Sequence, residues 1–92
     1  MASAIEARLS ALNLTLPDAP APAANYVPFV RTGNQIFVSG QVSAGPDGFI
    51  KGKLGADMSV EEGAAAARRC GLALIAQARA AVGDLDKIKR VV

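Results

Sequence analysis

The stretch from Tyr26 to Val42, YVPFVRTGNQIFVSGQV, limits what this chain can fold into more than any other. Two apolar runs flank Thr32-Gly33-Asn34, and glycine and asparagine are the residues that tolerate positive φ, so the segment reads as a β-hairpin. In the second run Ile36, Val38, Gly40 and Val42 share one face by the two-residue period of a strand, and Phe37, Ser39 and Gln41 take the other. Each face carries a large apolar residue near the strand start, Ile36 on one and Phe37 on the other. A sheet with one wet face needs only one of them. The hairpin is therefore expected to be covered twice, by a helix on one side and by another element on the other. It ends in Ser39-Gly40-Gln41, a polar triplet that packing alone does not call for.

At 92 residues the chain makes one domain at most, near the lower limit for an adequate core. Residues classed as hydrophobic reach 51%, but much of that is alanine, and only Tyr26, Phe29, Phe37 and Phe49 bring aromatic volume. The single cysteine, Cys70, excludes an intrachain disulfide and fits a reducing compartment. There is no histidine, which removes the usual metal ligand and the usual neutral-pH proton shuttle together. No metal site and no cofactor are expected. The net charge is +2, with small basic clusters at Arg68-Arg69 and at Lys87, Lys89 and Arg90. A nucleic-acid binder shows a denser basic face with interleaved aromatics, so nucleic acid is not an expected partner. No apolar window is long enough to span a membrane, and Glu6 and Arg8 interrupt the N-terminal apolar pattern where a signal peptide would be continuous. The expected location is cytoplasmic.

Ser3 to Leu12 reads as a short helix, with Ser3 and Glu6 at capping-box spacing, Ile5, Leu9 and Leu12 on one stripe, and Asn13 as a left-handed stop. Pro17 to Ala24 (PDAPAPAA) is a stiff extended connector, read as a spacer. Ser43 to Gly48 is a turn cluster, and Phe49 to Leu54 is a short strand or an ordered loop. Gly48 to Gly52-Lys53 fails as a phosphate loop, because three residues rather than four separate the glycines and Leu54 stands where Ser or Thr is needed. Ser59 and Glu62 form a second capping box and open the longest helix. Its expected buried stripe is Val60, Ala64, Ala67, Gly71, Leu74, Ile75, Ala78, Ala81 and Val82, with Gly83 as the stop and Asp84-Leu85-Asp86 as the following loop. Cys70 falls off this stripe, a small semi-buried side chain with no histidine to activate it. Lys87 to Val92 is expected to begin a further strand.

The order Tyr26-Val27, Thr32-Gly33-Asn34, Val38-Ser39-Gly40-Gln41-Val42, a glycine-rich turn, a helix opened near Ser59, and Val82-Gly83-Asp84-Leu85 before a strand from Ile88 resembles the RidA/YjgF family, also labelled endoribonuclease L-PSP. The resemblance covers Asn25 to Val92. It implies an α+β, chorismate-mutase-like fold, a mixed sheet packed on helices and assembled as a homotrimer, here as a truncated β-hairpin–helix–strand portion. On this reading residues 1–24 are an N-terminal helix and Pro/Ala connector, and residues 25–92 are the N-terminal part of a RidA-like domain.

The resemblance also implies a deaminase that hydrolyses reactive enamine or imine intermediates, such as 2-aminoacrylate, to 2-keto acids and ammonia in clefts between subunits. By position, Tyr26 matches a tyrosine lining that cleft, and Ser39 and Gly40 match a Ser-Gly pair that meets a small carboxylate or imine ligand. On the residues alone, Ser39 reads as an outward strand position and Tyr26 as a strand-start aromatic. The family's carboxylate-clamping arginine and water-handling glutamate lie in a second half, and Arg31, Arg68 and Arg90 do not match that arginine. The 92 residues are thus expected to be the front portion of a longer fold that binds weakly and does not catalyse, with no catalytic residue of its own. A non-catalytic carboxylate-binding or scaffold trimer is the alternative. An RNA-cleaving role is the weakest reading, since neither histidine nor a carboxylate cluster is present for it.

Overall fold

The computed structural model describes residues 3–22, 24–45 and 47–92; Ala23 of the connector and Pro46 of the turn cluster lie outside the described residues, as do Met1 and Ala2. The elements run α1 (Ala4–Ala11), β1 (Phe29–Thr32), β2 (Gln35–Val38), β3 (Ala44–Gly45), β4 (Gly48–Phe49) and α2 (Val60–Val82), followed by one 3-10 turn over Leu85–Lys87. Among the described residues the result is a small α+β arrangement of two antiparallel two-stranded sheets and two helices.

β1 and β2 form the expected hairpin, with Phe29 opposite Val38 and Thr32 opposite Gln35. Gly33 takes φ +57°, which places glycine at the first central position of the two-residue turn, as a type II′ hairpin requires. The second strand is shorter than its apolar pattern suggests. It stops at Val38, because the residue opposite Ser39 is Pro28, which has no N–H to return to the ladder. Beyond that point the alternation slips. Ile36 and Val38 are half-buried, but so are Ser39 and Gln41, whereas Gly40 and Val42 are exposed. Gly40 and Val42 therefore do not continue the Ile36–Val38 face. The two-faced character of the hairpin holds at Ile36 and Phe37. The first is half-buried on the side that α2 covers, while Phe37 and its cross-strand partner Val30 lie on the other face, 55% and 51% exposed.

α2 begins in a complete capping box: Ser59 Oγ accepts from the Glu62 amide and the Glu62 carboxylate accepts from the Ser59 amide. It ends at Gly83, φ +80°. Its packing face differs from the expected one. Val60, Ala64, Ala67 and Leu74 are exposed, although Gly71, Ile75, Ala78, Ala81 and Val82 remain half-buried. The face turned to the sheets runs instead through Ala66, Arg69, Cys70, Ala73, Ala76 and Gln77, with Ala73, Ala76 and Gln77 fully buried. Hydropathy misplaces this face because two of its members are polar and find distant backbone acceptors. Arg69 Nε donates to the Ala44 carbonyl at 3.0 Å and Gln77 Nε2 to the Pro20 carbonyl at 2.7 Å. Alanines between them let the helix lie close to the strands.

α1 is capped by Ser3, whose Oγ accepts from the Glu6 amide, and Asn13 takes the left-handed φ of +57°. Glu6 does not close a capping box; its carboxylate meets Arg79 at 3.2 Å. Of the expected stripe only Leu9 is buried, together with Ala73, Ala76 and Leu85, while Ile5 and Leu12 are exposed. The residues after Gly83 bind the two ends of the chain together: Asp86 accepts from the amides of Ala4 and Ile5 at 2.8 and 3.0 Å. Phe49 pairs with Ala44, but residues 50–53 form no strand and Leu54 makes only an isolated bridge with Met58. Ile88 to Val92 forms no strand, since no described segment lies alongside to pair with it, and Val91 and Val92 are exposed.

Candidate functional site

The end of β2 is built around one carbonyl. The Ser39 amide and the Ser39 hydroxyl both donate to the Pro28 oxygen, at 2.9 and 3.0 Å. The Ser39 carbonyl, which would receive an N–H from any residue but proline at position 28, accepts from Gln41 Nε2 at 3.1 Å. The same Nε2 lies 3.3 Å from the Gly40 carbonyl, so the Gln41 side chain folds back over the Ser-Gly pair. Its Oε1 accepts from Gln77 Nε2 at 3.3 Å. Gln77 is 1% exposed and uses its amide for both Gln41 and Pro20. The Gly40 N–H has no acceptor among the described residues.

A narrow cleft opens at this point, with residues 20–22 of the connector on one side, Tyr26 and Pro28 on another, and residues 40–42 on the third. Its volume is about 20 Å³, enough for a water molecule or the terminal atoms of a ligand. Tyr26 and Gly40 thus meet at one cleft, with Tyr26 43% exposed. Ser39 adjoins them, but its proton is directed at Pro28 and not into the opening. Its oxygen lone pairs remain as acceptors. Among the described residues no arginine, lysine or carboxylate lines the cleft. A ligand there would meet Tyr26, Gly40 and the surfaces of Pro20, Pro22 and Pro28.

A wider groove of about 420 Å³ lies elsewhere, between α1 and residues 13–16, with the Glu6–Arg79 pair at its side. It shares no residue with the Tyr26 cleft. The pair is about one-third exposed, and such ion pairs are screened by solvent and contribute little. Two carboxylates titrate below their ordinary range, and both do so by capping helices. Glu62 is lowered by the backbone and then the hydroxyl of Ser59, and Asp86 by the amides of Ile5 and Ala4. Among the described residues no three His, Cys, Asp or Glu side chains gather as a metal site, and no helix is long and apolar enough to cross a membrane.

Residues 6–92 match the family described as "YjgF/chorismate mutase-like, putative endoribonuclease". The chain belongs to the YjgF/chorismate mutase-like family. Among its relatives, protein TCP17 of Trypanosoma cruzi is 49% identical over 89 residues, which cover 96% of this chain and 56% of TCP17. The crystal structure of a "putative endoribonuclease" from Shewanella oneidensis superposes with a TM-score of 0.86 at 41% identity, over 94% of this chain and 58% of that one. A protein of unknown function from Agrobacterium tumefaciens superposes with a TM-score of 0.80 at 42% identity, over 96% and 54%. The YjgF-family chain described here therefore spans somewhat more than half the length of these relatives, and its α+β fold is the chorismate-mutase-like one of its family.

Tyr26, Ser39 and Gly40 are the site residues legible in the sequence; Gln41, Gln77 and Pro20 come to the same place through the fold. The available signal was Gln77 itself, a polar residue in an alanine-rich helical run with no charged neighbour to pair with locally.

Proposed function

We propose that the Tyr26–Gly40 cleft is one part of a site for small carboxylates or their imines, and that the complete protein hydrolyses reactive enamines or imines to 2-keto acids and ammonia. The observation that carries this reading is that Tyr26 and Gly40 line one cleft while the Gly40 N–H has no acceptor among the described residues. A backbone N–H next to no side chain can approach a carboxylate or carbonyl oxygen closely. In the reaction, the enamine tautomerises to an imine, water adds at the imine carbon, and the carbon–nitrogen bond breaks with release of ammonia. The groups that clamp the carboxylate and handle the water are assigned to the part of the relatives' length that this chain does not span. The 92 residues alone are assigned weak binding without turnover.

The bare Val30–Phe37 pair supports assembly, in which a neighbouring copy covers that face; a homotrimer is the proposed form. The same pair favours the second reading, a non-catalytic binding or scaffold trimer, because assembly requires no catalytic group. Titration of the labelled chain with pyruvate, followed through the Gly40 and Tyr26 amide shifts, tests the site. Saturable shifts confined to residues 20–42 support it, and no shift at millimolar pyruvate refutes it. Adding a dehydratase that releases 2-aminoacrylate then separates enzyme from binder: the longer protein accelerates keto-acid release if it is a deaminase and leaves it unchanged if it is a scaffold.

A further inference from the structure

We propose that Gln77 is a positioning residue that fixes residues 20–22 as a wall of the Tyr26–Gly40 cleft, so that the connector selects ligands by size. The inference rests on the carboxylate reading above for the ligand class, but not for the anchoring itself.

An extended proline-rich segment makes no internal hydrogen bonds, and each proline lacks the N–H by which a backbone is usually held. Only its carbonyls offer a polar handle. Along residues 15–22 the one hydrogen bond among the described residues is the 2.7 Å bond from Gln77 Nε2 to the Pro20 carbonyl. Gln77 is 1% exposed, and a buried amide without partners is costly, so its two donor hydrogens are committed. The second goes to Gln41 Oε1, and Gln41 Nε2 in turn holds the carbonyls of Ser39 and Gly40. One buried side chain on α2 therefore ties together two walls of the cleft, the connector and the Ser-Gly loop. The opening left between them holds about 20 Å³, room for terminal atoms only, so any larger part of a ligand that enters must displace the connector wall. The connector is thus a component of the site and not a spacer.

The test compares the wild-type chain with Gln77→Met, which keeps the side-chain volume and removes both donors. Two readouts are taken: the backbone order parameter of Ala21, and the affinities for pyruvate and phenylpyruvate from Gly40 amide shifts. The expected result is a fall of the Ala21 order parameter from about 0.8 to below about 0.6, with α2 values unchanged. The preference for pyruvate over phenylpyruvate falls about tenfold, a change of about 1.4 kcal/mol in discrimination. An unchanged Ala21 order parameter, or one that falls equally along α2, overturns the anchoring. An unchanged preference overturns the size selection. If neither acid shifts Gly40 in the wild type, the carboxylate reading fails and the size selection with it, while the Ala21 measurement still decides the anchoring. Should Gln77→Met fail to fold, Pro22→Gly loosens the wall without touching α2 and must lower the same preference, or the size selection is wrong.

Discussion

Ser39 spends both its amide and its hydroxyl on a single acceptor, the carbonyl of Pro28. Proline gives nothing back, so the ladder ends there, the chain leaves β2 one residue out of phase, and Gly40 reaches the cleft with its N–H free of any described acceptor. Pro28 thereby ends the strand, and the Ser-Gly-Gln triplet that follows is left as a candidate ligand contact.

Replacing Pro28 by alanine should restore the missing donor. The expected outcome is a bond from the new N–H to the Ser39 carbonyl, displacing Gln41 Nε2, with slow amide exchange at position 28 and loss of the pyruvate-induced shift at Gly40. Ser39→Ala removes only the hydroxyl bond and should cost about 1 kcal/mol in chemical denaturation. Rapid exchange at position 28 in the alanine variant would show that the strand ends for another reason.

The packing face of α2 gives a second prediction. Ala73 and Ala76 are 4% and 2% exposed and Leu74 is 43% exposed, so the smaller residues occupy the tighter positions. Ala76→Leu should destabilise the chain by about 1–3 kcal/mol through overpacking against the strands. Leu74→Gln should change stability by less than about 1 kcal/mol. Urea denaturation of the two variants checks this, and the reverse order would restore the stripe that hydropathy alone suggests.

What the sequence makes legible is what depends on neighbours in the chain. Gly33 at the hairpin turn, Ser59 and Glu62 at the start of α2, and Asn13 and Gly83 at the helix stops each act within a few residues of themselves. The rotation of α2 is not legible, because Arg69 and Gln77 are polar by type and turn inward, half-buried and buried, only through carbonyls 25 and 57 positions away. The cap that Asp86 places on α1 spans 82 positions and leaves no local pattern. At the site, Tyr26 and Gly40 come from the family resemblance, whereas Pro20 enters only through the fold.

Phe37 tests assembly. It is 55% exposed beside Val30, on the face that α2 does not cover, so nothing within the described chain depends on its burial. Phe37→Lys should leave stability within about 0.5 kcal/mol of the wild type. In sedimentation velocity the wild type should associate and the lysine variant should run as a monomer. Identical distributions for the two would remove this face from the assembly.

Asp86 sets an expectation for acid stability. Its carboxylate accepts from the amides of Ile5 and Ala4, which favours the charged form and lowers its pKa below the ordinary aspartate range. A carboxylate whose pKa is depressed by folding stabilises the folded state at pH values above the unfolded pKa, and that contribution fades as pH falls through the folded value. Glu62, whose pKa the Ser59 backbone and hydroxyl lower, acts in the same direction at α2. In Asp86→Asn the side-chain oxygen can still accept a hydrogen bond, but the charge is gone. The melting temperature of the variant should therefore lie below that of the wild type at pH 7, and the gap should close as the pH falls below the ordinary aspartate range and the wild-type carboxylate is protonated. Circular dichroism melts of both proteins across that fall in pH decide the matter: a gap independent of pH would mean that Asp86 holds α1 by shape and not by charge.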